Sequence, residues 1–294
     1  MHNYRVHIQE HCVIMSEEFT KQRILCMQKL LDFLNGQMNQ PALYGNLQSS
    51  WFHYLAVILV IIGSIISVTR LKGMDEKKLD KVLIIFSIIL LTLELYKQLI
   101  FSYQANWDYQ WYAFPFQFCS TPMYIALAAG LTKNKVIKEA MISFLATFGL
   151  FAGAAVMIYP ATVFVQTTGI NIQTMVHHGG MTILGVGLLA NHVKLKWSSV
   201  LKASVVFASL MVIAMVMNGV FNAFIQDGTF NMFFINHKFD NGIPVLMIFQ
   251  PLVPHIVFLL IYLFGFMLCA SIVFGIRYGI DKIDFHKKPV YQRA

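Results

Sequence analysis

Three residues of this sequence are best suited to covalent chemistry: Cys119, His177 and His178. A thiolate attacks acyl carbon, and an imidazole in hydrogen-bond reach takes up the thiol proton near neutral pH. Cys119 stands in Gln117-Phe118-Cys119-Ser120-Thr121, between Pro115 and Pro122, and a helix interrupted by proline exposes backbone groups at membrane sites. Glu94 and Lys97 follow at i, i+3, with Gln98 and Phe101 on the same helical face, so one helix face carries both charges. Gln117, Asn218, Asn222 and His53 add amide and imidazole groups suited to binding a ligand. Each has a plainer reading: a buried cysteine is usually inert packing, and an i, i+3 ion pair is commonly architectural. The sequence implies no metal site, because His53 and His255 have no carboxylate beside them, and it implies no cofactor. Cys12, Cys26, Cys119 and Cys269 show no C-x-x-C spacing, so neither a disulfide framework nor a thiolate metal site is expected.

The elements that must position these groups follow from composition. Of 294 residues, 12% are charged and 57% apolar, whereas a soluble domain carries about 25% charged residues. Long uncharged runs predict an all-α, polytopic bundle of seven transmembrane helices at 51–69, 82–104, 114–132, 140–159, 176–193, 200–225 and 255–276. Each is long enough to cross a core of ~30 Å at about 1.5 Å per residue. The fifth is the least lipid-like, since Val176-His177-His178-Gly179-Gly180 opens it.

Basic residues set the orientation. Arg70, Lys72, Lys77, Lys78 and Lys81 follow span one; Lys133, Lys135 and Lys138 follow span three; Lys194, Lys196 and Lys202 follow span five. The tail adds Arg277, Lys282, Lys287, Lys288 and Arg293, while the alternate loops 105–113, 160–175 and 226–254 contain only Lys238. Basic loops stay cytoplasmic, which predicts an N-terminus outside, a C-terminus in the cytoplasm, and a multi-pass protein of the cell membrane. The formal charge of +8 is thereby absorbed into topology, and nucleic acid is excluded as a partner. Membrane lipids and a lipid or small-molecule substrate are the expected partners.

Residues 1–15 read as a disordered leader, with Met15 a second candidate start. Residues 16–36 read as an amphipathic interfacial helix capped by Ser16 and stopped by Gly36, with Ile24, Met27, Leu31 and Leu34 as its apolar stripe. The membrane domain spans 44–276 and a basic tail 277–294. Gly149-x-x-x-Gly153 gives span four a small-residue stripe for close helix approach. On this topology the polar residues gather in the half of the bundle toward the outside, which predicts a polar pocket at outer-leaflet depth. Loop 226–254, rich in Pro and Phe with Asp227-Gly228 in it, reads as a lid, a re-entrant segment or an ordinary interfacial loop.

Phe52-His53, Glu94-Leu95-Tyr96-Lys97, Gln117-Phe118-Cys119-Ser120-Thr121-Pro122 and Gln173-Thr174-Met175-Val176-His177-His178-Gly179 resemble the YwaF family of bacterial integral membrane proteins over about residues 44–276. That family is distantly similar to transmembrane-protein-164-type phospholipid acyltransferases and AIG-type lipid hydrolases, which use an intramembrane nucleophile with a histidine. The resemblance implies Cys119 as nucleophile and His178 or His177 as base, although the AIG-type nucleophile is a threonine. Two functions are open at this level. One is a lipid acyltransferase or lipid ester hydrolase with Lys97 or Asn222 stabilising the oxyanion. The other is a small-solute transporter or binding protein using Glu94, Lys97 and the histidines.

Overall fold

The computed structural model describes residues 20–160, 162–224 and 230–287, with side chains to 283. The leader, the Ser16 cap, Asp227-Gly228 and the end of the basic tail lie outside the described residues. Helices are the regular structure of the described residues, with no strand among them and one isolated bridge pairing Gln37 with Thr167.

Helix α1, from 20 to 34, precedes α2 (Leu47–Leu71), α3 (Glu76–Gln104), α4 (Thr121–Leu131), α5 (Lys135–Phe144) and α6 (Leu150–Ile158). Then come α7 (Thr168–Asn191), α8 (Trp197–Phe224), the single turn α9 (Leu246–Phe249) and α10 (His255–Lys287). The starts follow from side-chain caps. Asn46 accepts the Ser49 N–H before α2, Asp75 that of Lys78 before α3, and Asn134 those of Val136 and Ile137 before α5. The Lys78 backbone N–H holds the Asp75 carboxyl below its ordinary range.

Among the described residues five helical segments are long and apolar enough to cross a membrane: Leu47–Leu71, Glu76–Gln104, Lys135–Ile158, Trp197–Phe224 and His255–Ile283. Their outward faces carry exposed stripes such as Leu55, Ile58, Leu59, Ile62 and Ile65 on α2. Spacing of three and four residues puts these on one side, suited to lipid rather than water. The two remaining expected spans differ for separate reasons. Residues 114–120 are not α-helical, and a short turn of 3₁₀ helix at Phe118–Ser120 leads into α4, so the apolar helix there runs only over Phe118–Leu131. Helix α7 is long enough, but Asn171, Gln173, Thr174, His177 and His178 make it polar, and all five are buried. It packs chiefly against α2 and α6, so protein rather than lipid surrounds most of its surface. It also begins at Thr168, which puts the two histidines in mid-helix rather than at a span's opening.

Between α5 and α6 the chain makes a π-helical turn, Leu145–Gly149, whose five residues are all buried; sequence periodicity reads one continuous helix there. The ion pairs cluster at the ends of helices: Lys138 reaches Glu76 at 2.8 Å and Asp80 at 2.9 Å, and Glu139 reaches Lys194 and Lys202 at 3.2 and 3.0 Å.

Helix α1 is tied to the bundle by its polar residues. Tyr103 bonds both Gln28 and Asp32, and Gln104 bonds Asn35. Of the expected apolar stripe only Leu31 is buried, while Ile24 and Met27 face outward with Leu30 and Phe33. The amides and the carboxylate took the docking face, leaving the apolar side chains outward.

Candidate functional site around Cys119

Cys119 lies half-buried in the turn before α4. Its neighbours fix it: the Phe118 ring packs on Phe266, Phe207 and Phe233 at 4.8, 5.2 and 5.9 Å, and Ser120 is buried. The Tyr124 hydroxyl donates to the Pro115 carbonyl at 2.9 Å, and Ser87 of α3 donates to Met123 at 2.7 Å. The turn is thus held from both sides.

The histidine nearest that turn is His177, whose Nε2 lies 3.0 Å from the Cys119 carbonyl oxygen. A carbonyl only accepts, so Nε2 carries the proton and Nδ1 keeps its lone pair. His178 has the opposite arrangement. Its Nδ1 lies 2.8 Å from the Thr174 carbonyl one turn back, so Nδ1 is the protonated nitrogen and Nε2 is free. Both free nitrogens are buried without a hydrogen-bond partner among the described residues, and the Tyr262 hydroxyl shares that state. The two imidazoles are 5.3 Å apart at 52°. Neither ring bonds the thiol; the contact made is to the backbone.

The position of His178 depends on close helix approach. A Cβ added at Gly153 of α6 would sit 2.6 Å from the His178 carbonyl oxygen, and one at Gly179 2.6 Å from Val60 of α2. The Gly153 half of the expected small-residue stripe is therefore a true contact. At Gly149 the nearest atoms lie at 3.7 Å, an ordinary separation.

Glu94 and Lys97 form the expected pair at 2.7 Å, with both side chains largely buried. Gln98 donates to the same Glu94 oxygen at 2.8 Å and to the Ala113 carbonyl at 2.7 Å. The structure thus brings His177 and His178 to the Cys119 turn and pairs Glu94 with Lys97 on α3.

The other expected site residues are committed elsewhere. Gln117 donates to the Asn231 carbonyl at 3.0 Å and accepts the Phe233 N–H at 2.9 Å. Asn218 accepts the Met232 N–H at 2.7 Å and donates to its carbonyl at 3.0 Å. Asn222 donates to the Phe230 carbonyl at 2.7 Å and accepts its N–H at 3.3 Å. These amides clamp the segment 230–233, whose Phe230, Met232 and Phe233 are fully buried. That segment of the loop is inserted in the protein, and its polar backbone is satisfied by side chains. His53 donates from Nε2 to the Met157 carbonyl at 2.8 Å and packs edge-on to Tyr44 and Phe164.

Tyr262 is the group that sequence reasoning missed. It is fully buried on α10 and stacked on Phe207 at 6.2 Å. The available signal was a lone phenol in the middle of an apolar span, where a buried tyrosine hydroxyl normally needs a partner. Among the described residues no group of three or more His, Cys, Asp or Glu could hold a metal ion.

The model of the TMEM164 family matches residues 47–276, from the start of α2 into α10. No curated protein and no solved structure matches the chain.

Proposed function

The chain belongs to the TMEM164 family of membrane proteins, and from that premise we propose that it transfers or hydrolyses a lipid acyl ester with Cys119 as nucleophile and His178 as base. The observation that carries this reading is the His178 ring, with Nδ1 tied to a carbonyl and Nε2 buried and free, one residue from the histidine that grips the Cys119 turn. A catalytic imidazole is commonly oriented through Nδ1–H by a backbone carbonyl or a carboxylate. The Thr174 carbonyl serves here where the sequence offers no carboxylate.

In this reading Nε2 of His178 takes the thiol proton while Sγ forms a bond to the ester carbon. The Tyr262 hydroxyl and the Lys97 ammonium stabilise the oxyanion of the tetrahedral intermediate. Asn222 is unsuited to that role, since its amide already donates to the Asn218 and Phe230 carbonyls. The C–O bond then breaks, and the leaving alkoxide recovers the proton from His178 as a lysolipid alcohol. A second alcohol takes the acyl group from the thioester in transfer, and water takes it in hydrolysis. Solute transport through Glu94 is less favoured, because its Oε1 already accepts from both Lys97 and Gln98.

We further infer that α4 and α7 join the five long segments in seven crossings, with the N-terminus outside and the C-terminus in the cytoplasm of a bacterial cell membrane. The quoted motifs ally the chain with YwaF-type members.

The test is covalent trapping. Purified wild-type protein incubated with a phospholipid carrying a labelled acyl chain should gain a hydroxylamine-labile label, and Cys119→Ala should not. His178→Ala should fold normally yet acylate at least 100-fold more slowly, the usual scale for losing a general base. Folded wild-type protein that neither acylates nor releases lysolipid from any phospholipid class, or turnover that survives in Cys119→Ala, overturns the reading.

A further inference from the structure

A cavity of about 270 Å³ opens between α8, the loop 235–238 and the first turn of α10. Gly219 is part of its lining, and an added Cβ there would meet nothing within 4 Å. Asn222 and Asn236 form its polar walls, and His237, Lys238 and His255 stand at its rim. The two imidazoles are 5.2 Å apart at 54°. Among the described residues no carboxylate lines the cavity and Lys238 has no ion-pair partner. One ammonium and two imidazoles converging on a concave space, without a counter-charge, leave an anion as the missing partner.

The surroundings narrow the class of anion. Apolar Met215 and Ala223 complete the lining on the α8 side. Val216 and Val220 of α8, next in sequence to the lining residues Met215 and Gly219, and Ile256 and Leu260 of α10, the first of them next to His255, are all exposed. An anion seated here therefore borders an apolar strip suited to acyl chains. Drug-sized ligands occupy roughly 300–1,000 Å³, so this space suits a headgroup and not a whole lipid. The loop also connects the cavity to the Cys119 turn. Asn218, on the cavity lining, and Gln117, two residues before Cys119, clamp adjacent backbone of the same segment.

We propose that this cavity seats the phosphate headgroup of a phospholipid, with the acyl chains along the apolar strip. As a statement about substrate it rests on the acyl-ester reading above. Lys238 supplies the fixed charge, and His237, His255 and the Asn236 amide supply hydrogen bonds to the phosphate oxygens.

The experiment is titration of the full chain in detergent with three probes: dihexanoyl phosphatidylglycerol, dihexanoylglycerol and inorganic phosphate. Wild-type protein should bind the phosphatidyl probe and bind the phosphate-free glyceride at least 10-fold more weakly, the scale of a lost charge-assisted contact. Lys238→Glu should weaken the phosphatidyl probe roughly 10-fold or more, and His237→Ala and His255→Ala severalfold, at unchanged melting temperature. Cys119→Ala should bind as wild type, so failure of the headgroup site and failure of the nucleophile appear in different variants. Inorganic phosphate that binds as tightly as the lipid, with the same variant dependence, keeps the phosphate site and assigns it to a soluble source. Equal binding of the glyceride, or wild-type affinity in Lys238→Glu, overturns the proposal.

Discussion

Replacing Asn218 with leucine should loosen the inserted loop by an amount the structure sets. The side chain makes two hydrogen bonds to Met232, at 2.7 and 3.0 Å, and Met232 is fully buried. Leucine fills similar volume but leaves a buried N–H and a buried C=O without partners. Each such group costs about 1–3 kcal/mol, hence roughly 2–6 kcal/mol together. Opposing this, Phe230, Met232, Phe233 and Ile235 are buried, and each such side chain contributes about 1.5–3 kcal/mol. Phe233 and Phe234 have φ of 60° and 55°, a left-handed conformation that costs about 1–2 kcal/mol per residue. The loop therefore stays inserted in Asn218→Leu but opens more often. At about 1.36 kcal/mol per tenfold, exchange of the amides in 230–236 should accelerate by between roughly 30-fold and roughly 25,000-fold. Adding Gln117→Leu removes two more clamps and should tip the loop out, seen as a fall in melting temperature and full exchange of the segment. Amide protection within threefold of wild type in Asn218→Leu would refute the idea that these amides hold the loop.

Glu94→Gln or Lys97→Met alone should lower the yield and melting temperature of purified protein, because losing one partner of a buried pair costs about 3–5 kcal/mol. The double variant should recover much of that; single variants as stable as wild type would deny the pair a structural role. Gly153→Ala should destabilise and slow acylation, since its Cβ meets the His178 carbonyl at 2.6 Å, whereas Gly149→Ala should be nearly neutral at 3.7 Å; equal melting temperatures for the two would contradict the contact. Cysteines placed at 72–81 should resist an impermeant thiol reagent on intact cells, and those at 106–110 should react. The reverse pattern would invert the orientation.

Apolar runs made α2, α3, α8 and α10 legible, because lipid-facing helices must advertise themselves in composition. The first turns of α7 were not legible, since Thr168 to Thr174 look like loop when only lipid is considered as the neighbour. Their polarity is tolerated because α2 and α6 enclose the helix. The Glu94–Lys97 pair followed from spacing alone. Sorting the amides did not: Asn218 and Asn222 have the type and depth of ligand-binding residues, and nothing local reveals that their partners are backbone groups at 230 and 232. Spacing also left the roles of His177 and His178 open. Their division between gripping the Cys119 turn and keeping a free Nε2 depends on ring rotamers, which sequence does not encode locally. Tyr262 escaped notice because a phenol is unremarkable in an apolar count.

The burial of α7 also constrains how the protein is made. A helix carrying Asn171, Gln173, His177 and His178 finds no hydrogen-bonding partner in hydrocarbon, and polar side chains are penalised when a segment partitions singly from the translocon. Helix α7 therefore depends on company at the moment of insertion. The glycine contact at Gly153 makes α6 its natural companion, released with it as a hairpin, while α2 waits as the opposite wall. The Cys119 turn precedes this hairpin in the chain, but the bond from His177 to the Cys119 carbonyl can form only after α7 arrives. Biogenesis thus keeps the cysteine and its histidines apart until the bundle has closed around them.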